Sequence, residues 1–235
     1  MNVLPIMFRV GLHIDLNGLS AFLLMMILNM MLTNSLLTTR IGLGDDMKYE
    51  IIYADPPWQF NNKKTGGSMK SGAASKYLTT GIEGLKSMPV GDIAADNAIL
   101  FMWYVGAMPQ EAIDLVHAWG FTIKNMNGFV WNKLTQKNKP HFGMGFYTRA
   151  GSESVIIATK GKFKPASKSV RAVFNADEQI QFEGKAIKHS RKPPEVRDLI
   201  VELCGDLPRL EMFARESAGG WDVFGNEAPN SIEIK

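Results

Sequence analysis

The densest chemistry in this chain of 235 residues lies in four consecutive positions, Asp55-Pro56-Pro57-Trp58. Each proline fixes its own φ and drives the residue before it into extended backbone. Asp55 and Pro56 are therefore confined to a narrow range of shapes. The Pro56 carbonyl is closed to helix hydrogen bonding, because Pro57 follows it. Two acceptors result, the Asp55 carboxylate and the Pro56 carbonyl, and together they suit an –NH₂ group with two hydrogens to donate. Trp58 adds a flat apolar face on which a base can stack. An exocyclic amine on a nucleobase is a poor nucleophile, since its lone pair is delocalised into the ring. Holding both N–H bonds lets the nitrogen become tetrahedral as it attacks, and stabilises positive charge where it develops. The matching electrophile is a methyl group on a sulfonium, transferred in line, with positioning supplying the rest. No metal is required. An Asp-Pro pair at a strand end also serves as plain turn chemistry, so the flanking elements decide between the two readings.

Those elements alternate. Residues 50–54 (EIIYA) read as a buried strand whose carboxyl end is Asp55. A long loop follows from Pro56 to Thr80, with 61–80 as a natural lid, then a short helix over 82–87. Residues 98–104 (AILFMWY) read as a second buried strand and 109–119 as an amphipathic helix, with Pro109 in its first turn and Gly120 at its stop. Residues 121–124 and 128–131 read as two strands, 133–149 as a basic loop, and 154–159 (SVIIAT) as another strand. The stretch 163–183 is poorly patterned. A second amphipathic helix spans 193–204 and is closed by Gly205; 209–213 and 221–224 are the last strands. Trp103, Trp119 and Trp131 read as core. Strands alternating with helices imply a mostly parallel sheet covered on both faces, with ligands outside the carboxyl ends of its strands.

Composition bounds the rest. A formal charge of +3 permits an anionic partner without demanding one. The basic stretches 133–139, 160–171 and 185–192 could form a phosphate-contacting rim. Cys204 is the sole cysteine, which excludes a disulfide framework and a cysteine-built zinc cage and suits a reducing, cytoplasmic setting. The four histidines lie far apart and form no metal motif. Residues 1–46 differ from the remainder: they hold no lysine, carry a net charge of −1, and are uncharged over 16–39. That extension reads as non-native sequence ahead of a true start at Met47, as a membrane or targeting segment, or as a packing helix. The domain proper is 47–235.

The chain resembles the DPPW-type N6-adenine methyltransferases, a family that includes the 70 kDa subunit of the mRNA adenosine methyltransferase. The resemblance is carried by "ADPPW", "AILFMWY", "EAIDLVHAWGF", "GFVWNK", "GFYTRAGSESVIIATKG", "HSRKPPEVRDLI" and "LEMFARESAGGWDVFGNE", in the family's order from Tyr49 to Asn226. It implies an α/β, Rossmann-like fold that uses S-adenosyl-L-methionine, with the catalytic motif N-terminal to the cofactor-binding strand, here 209–213. Asp55, Pro56, Pro57 and Trp58 would be catalytic, with Asp55 near the methionine end of the cofactor. Lys160 in "TKG" would pair with the cofactor carboxylate, Glu211 and Arg215 would take ribose- and cofactor-contacting positions, and Asn226 would lie at the ribose or adenine end. Tyr147, Arg149 and His189 would face substrate. The implied reaction is methyl transfer to adenine N6 in DNA; RNA is the alternative substrate, and a non-catalytic nucleic-acid-binding subunit the alternative role. Three departures stand out. Ser217-Ala218 replace a common His-Asn, Glu227 stands where the eukaryotic enzyme has glutamine, and "TTRIGLGDD" contains no match to an upstream cofactor-binding Asp.

Overall fold

The computed structural model describes residues 48–58, 81–143, 145, 147–177, 191–225 and 227–234, and the backbone of 181–183 and 186–188. All belong to the unit Lys48–Lys235. The apolar extension and the lid segment 61–80 lie outside the described residues. Among the described residues, no helix is long and apolar enough to cross a membrane.

Seven strands form one sheet: β1 (Tyr49–Ala54), β2 (Ala94–Tyr104), β3 (Thr122–Leu134), β4 (Ser152–Lys160), β5 (Val173–Asp177), β8 (Arg209–Met212) and β9 (Asp222–Phe224). Their order across the sheet is β5-β3-β4-β2-β1-β8-β9. Only β4 runs against the others, pairing antiparallel with both β2 and β3. Two further strands, β6 (Gln181–Glu183) and β7 (Ala186–Lys188), pair with each other. The fold is thus the mostly parallel α/β sheet that the alternation implies.

β1 sits at the centre because its residues can be buried on both faces. Ile51, Ile52 and Ala54 are wholly inaccessible to solvent. Alternation along the strand sends Ile51 and Tyr53 to one face and Ile52 and Ala54 to the other. The first pair joins Phe101, Trp103, Phe129 and Trp131 in one core, closed by Val196, Ile200 and Cys204 of α4 (Glu195–Cys204). Near the opposite face, α3 (Pro109–Ala118) buries Ala112, Leu115 and Val116. Trp119, just past α3, donates its indole N–H to the Leu85 carbonyl of α1 (Gly81–Lys86) at 2.8 Å and stacks on Phe213. A four-residue helix, α2 (Val90–Ile93), leads into β2. Trp103, Trp119 and Trp131 are all core, as expected.

Two expectations change. The two strands expected over 121–124 and 128–131 are one: β3 is continuous from Thr122 to Leu134, with register irregularities between Ile123 and Phe129. The polar run "NMNG" conceals the continuity, and Asn125 accepts the Asn127 N–H there as it would in a turn. The poorly patterned 163–183 contains β5, an edge strand whose residues are half or fully exposed, so it lacks the apolar run that betrays a strand.

Candidate active site

Two Pro-Pro pairs build the site. Asp55 leaves the carboxyl end of β1 just before Pro56-Pro57, and Lys192 enters α4 just before Pro193-Pro194. Each charged residue is thereby held extended at the mouth of the sheet. The Lys192 Nζ stands 3.5 Å from Asp55 Oδ1 and 2.7 Å from Glu153 Oε2. The other Glu153 oxygen accepts from Lys133 Nζ at 2.6 Å. The result is an alternating chain, Asp55–Lys192–Glu153–Lys133, drawn from β1, the approach to α4, β4 and β3. Each ammonium also sits over an indole, Lys192 over Trp103 and Lys133 over Trp131.

Burial and charge compete along this chain. Burial raises the Asp55 carboxyl above its ordinary value; Lys192 and Arg215 oppose the rise, while Glu153 reinforces it. Burial also pushes Glu153 up, but Lys192 and Lys133 outweigh it, and its carboxyl ends below the usual range. Burial would lower Lys192, yet Asp55 and Glu153 more than offset that, so its ammonium is held more firmly than a free lysine's. Asp55 is therefore a buried carboxyl that holds a proton more tightly than an exposed one.

The Pro56 carbonyl accepts the Trp58 N–H at 2.9 Å. The carbonyl is closed to a helix but is used within a turn. A tight turn over Pro57 takes one lone pair, fixes the carbonyl and leaves the second lone pair open. Trp58 is fixed in turn, its indole N–H donating to the Trp103 carbonyl at 3.0 Å.

A cleft beside Asp55 is lined by Tyr53, Lys192, Glu211, Phe213, Arg215 and Glu216, among others. Glu211 ends β8, and Arg197 of α4 grips both its oxygens, at 2.7 and 3.1 Å. Glu216 accepts from Arg197 and pairs with Arg191. Phe213 adopts φ 62° while buried, a left-handed conformation uncommon for a bulky residue. It turns the chain sharply between β8 and Arg215.

The structure thus brings Asp55, Glu211 and Arg215 to one cleft. Lys160 is elsewhere. β4 runs downward, so its last residue lies at the amino end of the sheet, where the ammonium donates to the Gly91 and Ala94 carbonyls at 2.8 and 3.1 Å. The cation at Asp55 is Lys192, which sequence reasoning left in a general basic rim. The signal was available: "RKPP" repeats the charge-Pro-Pro arrangement of "ADPPW". Glu153 was also missed; the only trace is a lone acid entering an apolar strand. Tyr147 and Arg149 are exposed on the β3–β4 connection and do not line the cleft. His189 and Asn226 lie outside the described residues. Among the described residues, no three His, Cys, Asp or Glu gather so as to hold a metal ion.

Gly225, after β9, packs against the loop after β8. A Cβ there would stand 2.1 Å from the Ala214 carbonyl oxygen and 2.6 Å from its nitrogen. Gly225→Ala is expected to part the two loops and destabilise the protein by about 1–3 kcal/mol, read as a lowered melting temperature.

A protein-family model described as MT-A70 matches residues 49–227. Over 202 residues the chain is 36% identical to a Mycoplasma sp. protein named Type II methyltransferase M.MunI, covering 80% of this chain and 81% of that one. It is 26% identical over 191 residues to the human N(6)-adenine-specific methyltransferase METTL4, covering 76% of this chain but 37% of the relative. Identity is 22% over 184 residues with the Drosophila melanogaster N(6)-adenosine-methyltransferase MT-A70-like protein, covering 77% of this chain and 27% of the relative.

Proposed function

The chain is a methyltransferase of the MT-A70 family, and from that premise we propose that it methylates the exocyclic N6 of adenine in DNA. The observation that carries this reading is the Asp55–Trp58 turn. A carboxylate and a turn-fixed carbonyl stand beside an anchored indole at the carboxyl end of the central strand. The choice of DNA rests on the likeness to a type II methyltransferase that spans most of both chains. The adenine-specific and adenosine-specific relatives support N6 as the acceptor.

Enzymes of this family use S-adenosylmethionine, which supplies an activated methyl group when bound. The cleft has a donor set that fits this zwitterionic nucleoside. Asp55 suits an ammonium, Lys192 and Arg215 suit a carboxylate, and Glu211 suits a pair of hydroxyls. Arg197 takes one lone pair of each Glu211 oxygen, and a carboxylate has about four to offer. In this assignment Lys192 takes the part that the resemblance gives to Lys160.

The chain's own groups then do three things. Asp55 and the open lone pair of the Pro56 carbonyl hold the two N–H bonds of the amine, so its nitrogen lone pair points away from the ring. The same acceptors would stabilise the positive charge that develops on nitrogen as the N–CH₃ bond forms and the methyl–sulfur bond breaks, the sulfur leaving as a neutral thioether. Asp55, with its raised proton affinity, takes the proton that the methylated amine sheds. In a duplex the adenine must first leave the stack.

Incubation with methyl-labelled cofactor and either duplex DNA or RNA tests the proposal. Label on DNA adenine is expected. Label on RNA alone would sink the choice of DNA, and label on neither would favour a non-catalytic nucleic-acid-binding subunit.

A further inference from the structure

Between Asn132 and Glu153 the chain has no acidic residue, yet it carries Lys133, Lys137, Lys139 and Arg149. This stretch is the turn of the β3–β4 hairpin, and Lys137, Lys139 and Arg149 are exposed on it. Two of its aromatic side chains are also exposed, Phe142 at 74% and Tyr147 completely. Among the described residues they are two of the three large apolar side chains left exposed, and both fall in this one basic stretch. Tyr147 also holds φ at 61°, a conformation that bulky side chains avoid. Backbone strain that keeps an aromatic ring in solvent points to use rather than to folding.

The hairpin has defined internal structure. The Gly143 N–H donates to the Ala150 carbonyl at 2.8 Å, His141 to Lys133 at 3.0 Å, and Thr135 to Lys139 at 2.8 Å. Cβ atoms at Gly143 and Gly145 would stand 2.5 and 2.6 Å from the backbone oxygens of Ala150 and Thr148, so the chain passes too close for side chains there. The Arg149 guanidinium lies 4.7 Å over the Phe142 ring, making a flat cationic and aromatic tip. At its base the hairpin is tied to the active site, because Lys133 grips Glu153 and Glu153 grips Lys192 beside Asp55.

Resting on the reading of the protein as a DNA adenine methyltransferase, we propose that this tip enters the duplex as the target adenine leaves it. Phe142 and Tyr147 take up the stacking that the departing base gives up, and Lys137, Lys139 and Arg149 meet the flanking phosphates. A surface with cations, exposed rings and no carboxylate complements stacked bases on a polyanion. Phe142 and Tyr147 do not line the Asp55 cleft, which is consistent with their meeting a part of the substrate other than the reacting base.

The test uses duplexes carrying the methylated site, with the target adenine opposite either thymine or an abasic position. An abasic partner removes the pairing that must be broken. The double variant Phe142→Ala/Tyr147→Ala is expected to lose about tenfold or more in kcat/KM on the paired duplex, and no more than about twofold on the abasic one. Equal losses on both, or no loss on either, would overturn the proposal. So would a variant that changes the oligomeric state in light scattering while the two duplexes stay alike, since the tip would then be a contact between copies of the chain. A wild-type enzyme that methylates no DNA adenine would overturn the functional reading and this inference with it. Wild-type activity without a duplex-specific loss would overturn the inference alone.

Discussion

Asp55→Asn is expected to reduce methyl transfer by about 10²–10³-fold while leaving the protein as stable as before, or more so. The amide keeps the shape and one acceptor oxygen but loses the charge and the proton affinity. The second half of the expectation follows from the direction of the Asp55 shift. Its carboxyl is raised in the fold, chiefly by burial. The folded state therefore binds that proton more tightly than the unfolded chain does, and above the folded pKa the ionised group costs stability. Removing the charge relieves that cost, and Lys192 keeps Glu153 as a partner at 2.7 Å. Turnover and melting temperature moving in opposite directions would mark Asp55 as a residue held for chemistry. A loss of both together would mean that Asp55 is structural.

Lys192→Met is expected to be damaging in both respects. Its side chain is only 14% exposed and stands between two carboxylates that are 24% and 25% exposed. Taking away the shared cation leaves Asp55 and Glu153 facing each other, which should cost about 3 kcal/mol. The pH dependence has a definite sign. Glu153 is depressed in the fold, so its stabilising contribution is present above the ordinary carboxylate range and lost as pH falls through the folded pKa. Lys192 is raised, so its contribution is present below the ordinary lysine value and lost as pH rises through the folded pKa. The stability gap between wild type and variant should be widest between those limits and should narrow in acid. Residual activity should show the complementary effect. Without Lys192 the Asp55 carboxyl rises further, and the acid limb of the pH–rate profile moves to higher pH. A limb that stays in place would show that Lys192 does not act on Asp55.

The parts legible in the sequence are those where one force dominates locally. β1, β2 and β4 announce themselves as apolar runs because they are central strands. α3 and α4 are bounded by proline and glycine, and the Asp55–Trp58 turn is dictated by its own prolines. What was hidden depends on partners distant in sequence. β5 is an edge strand specified by pairing with β3, through contacts such as Val130 with Val173, rather than by its own composition. Lys160 and Lys192 are both lysines near a glycine or proline, and nothing local says which reaches Asp55. The antiparallel direction of β4 decides it, carrying Lys160 to the far end of the sheet while Glu153 starts at the near end. Glu153 is legible only once β3, β4 and the approach to α4 are assembled, since its partners are 20 residues before it and 39 after.

The most direct test of the central claim is nucleoside mass spectrometry on DNA from cells expressing either the wild-type chain or Asp55→Ala, with sequencing to locate the modified bases. The account predicts N6-methyladenine at a defined site with the wild type and none above background with the variant. DNA adenine left unmodified by the wild type, or modified equally by both, would contradict it.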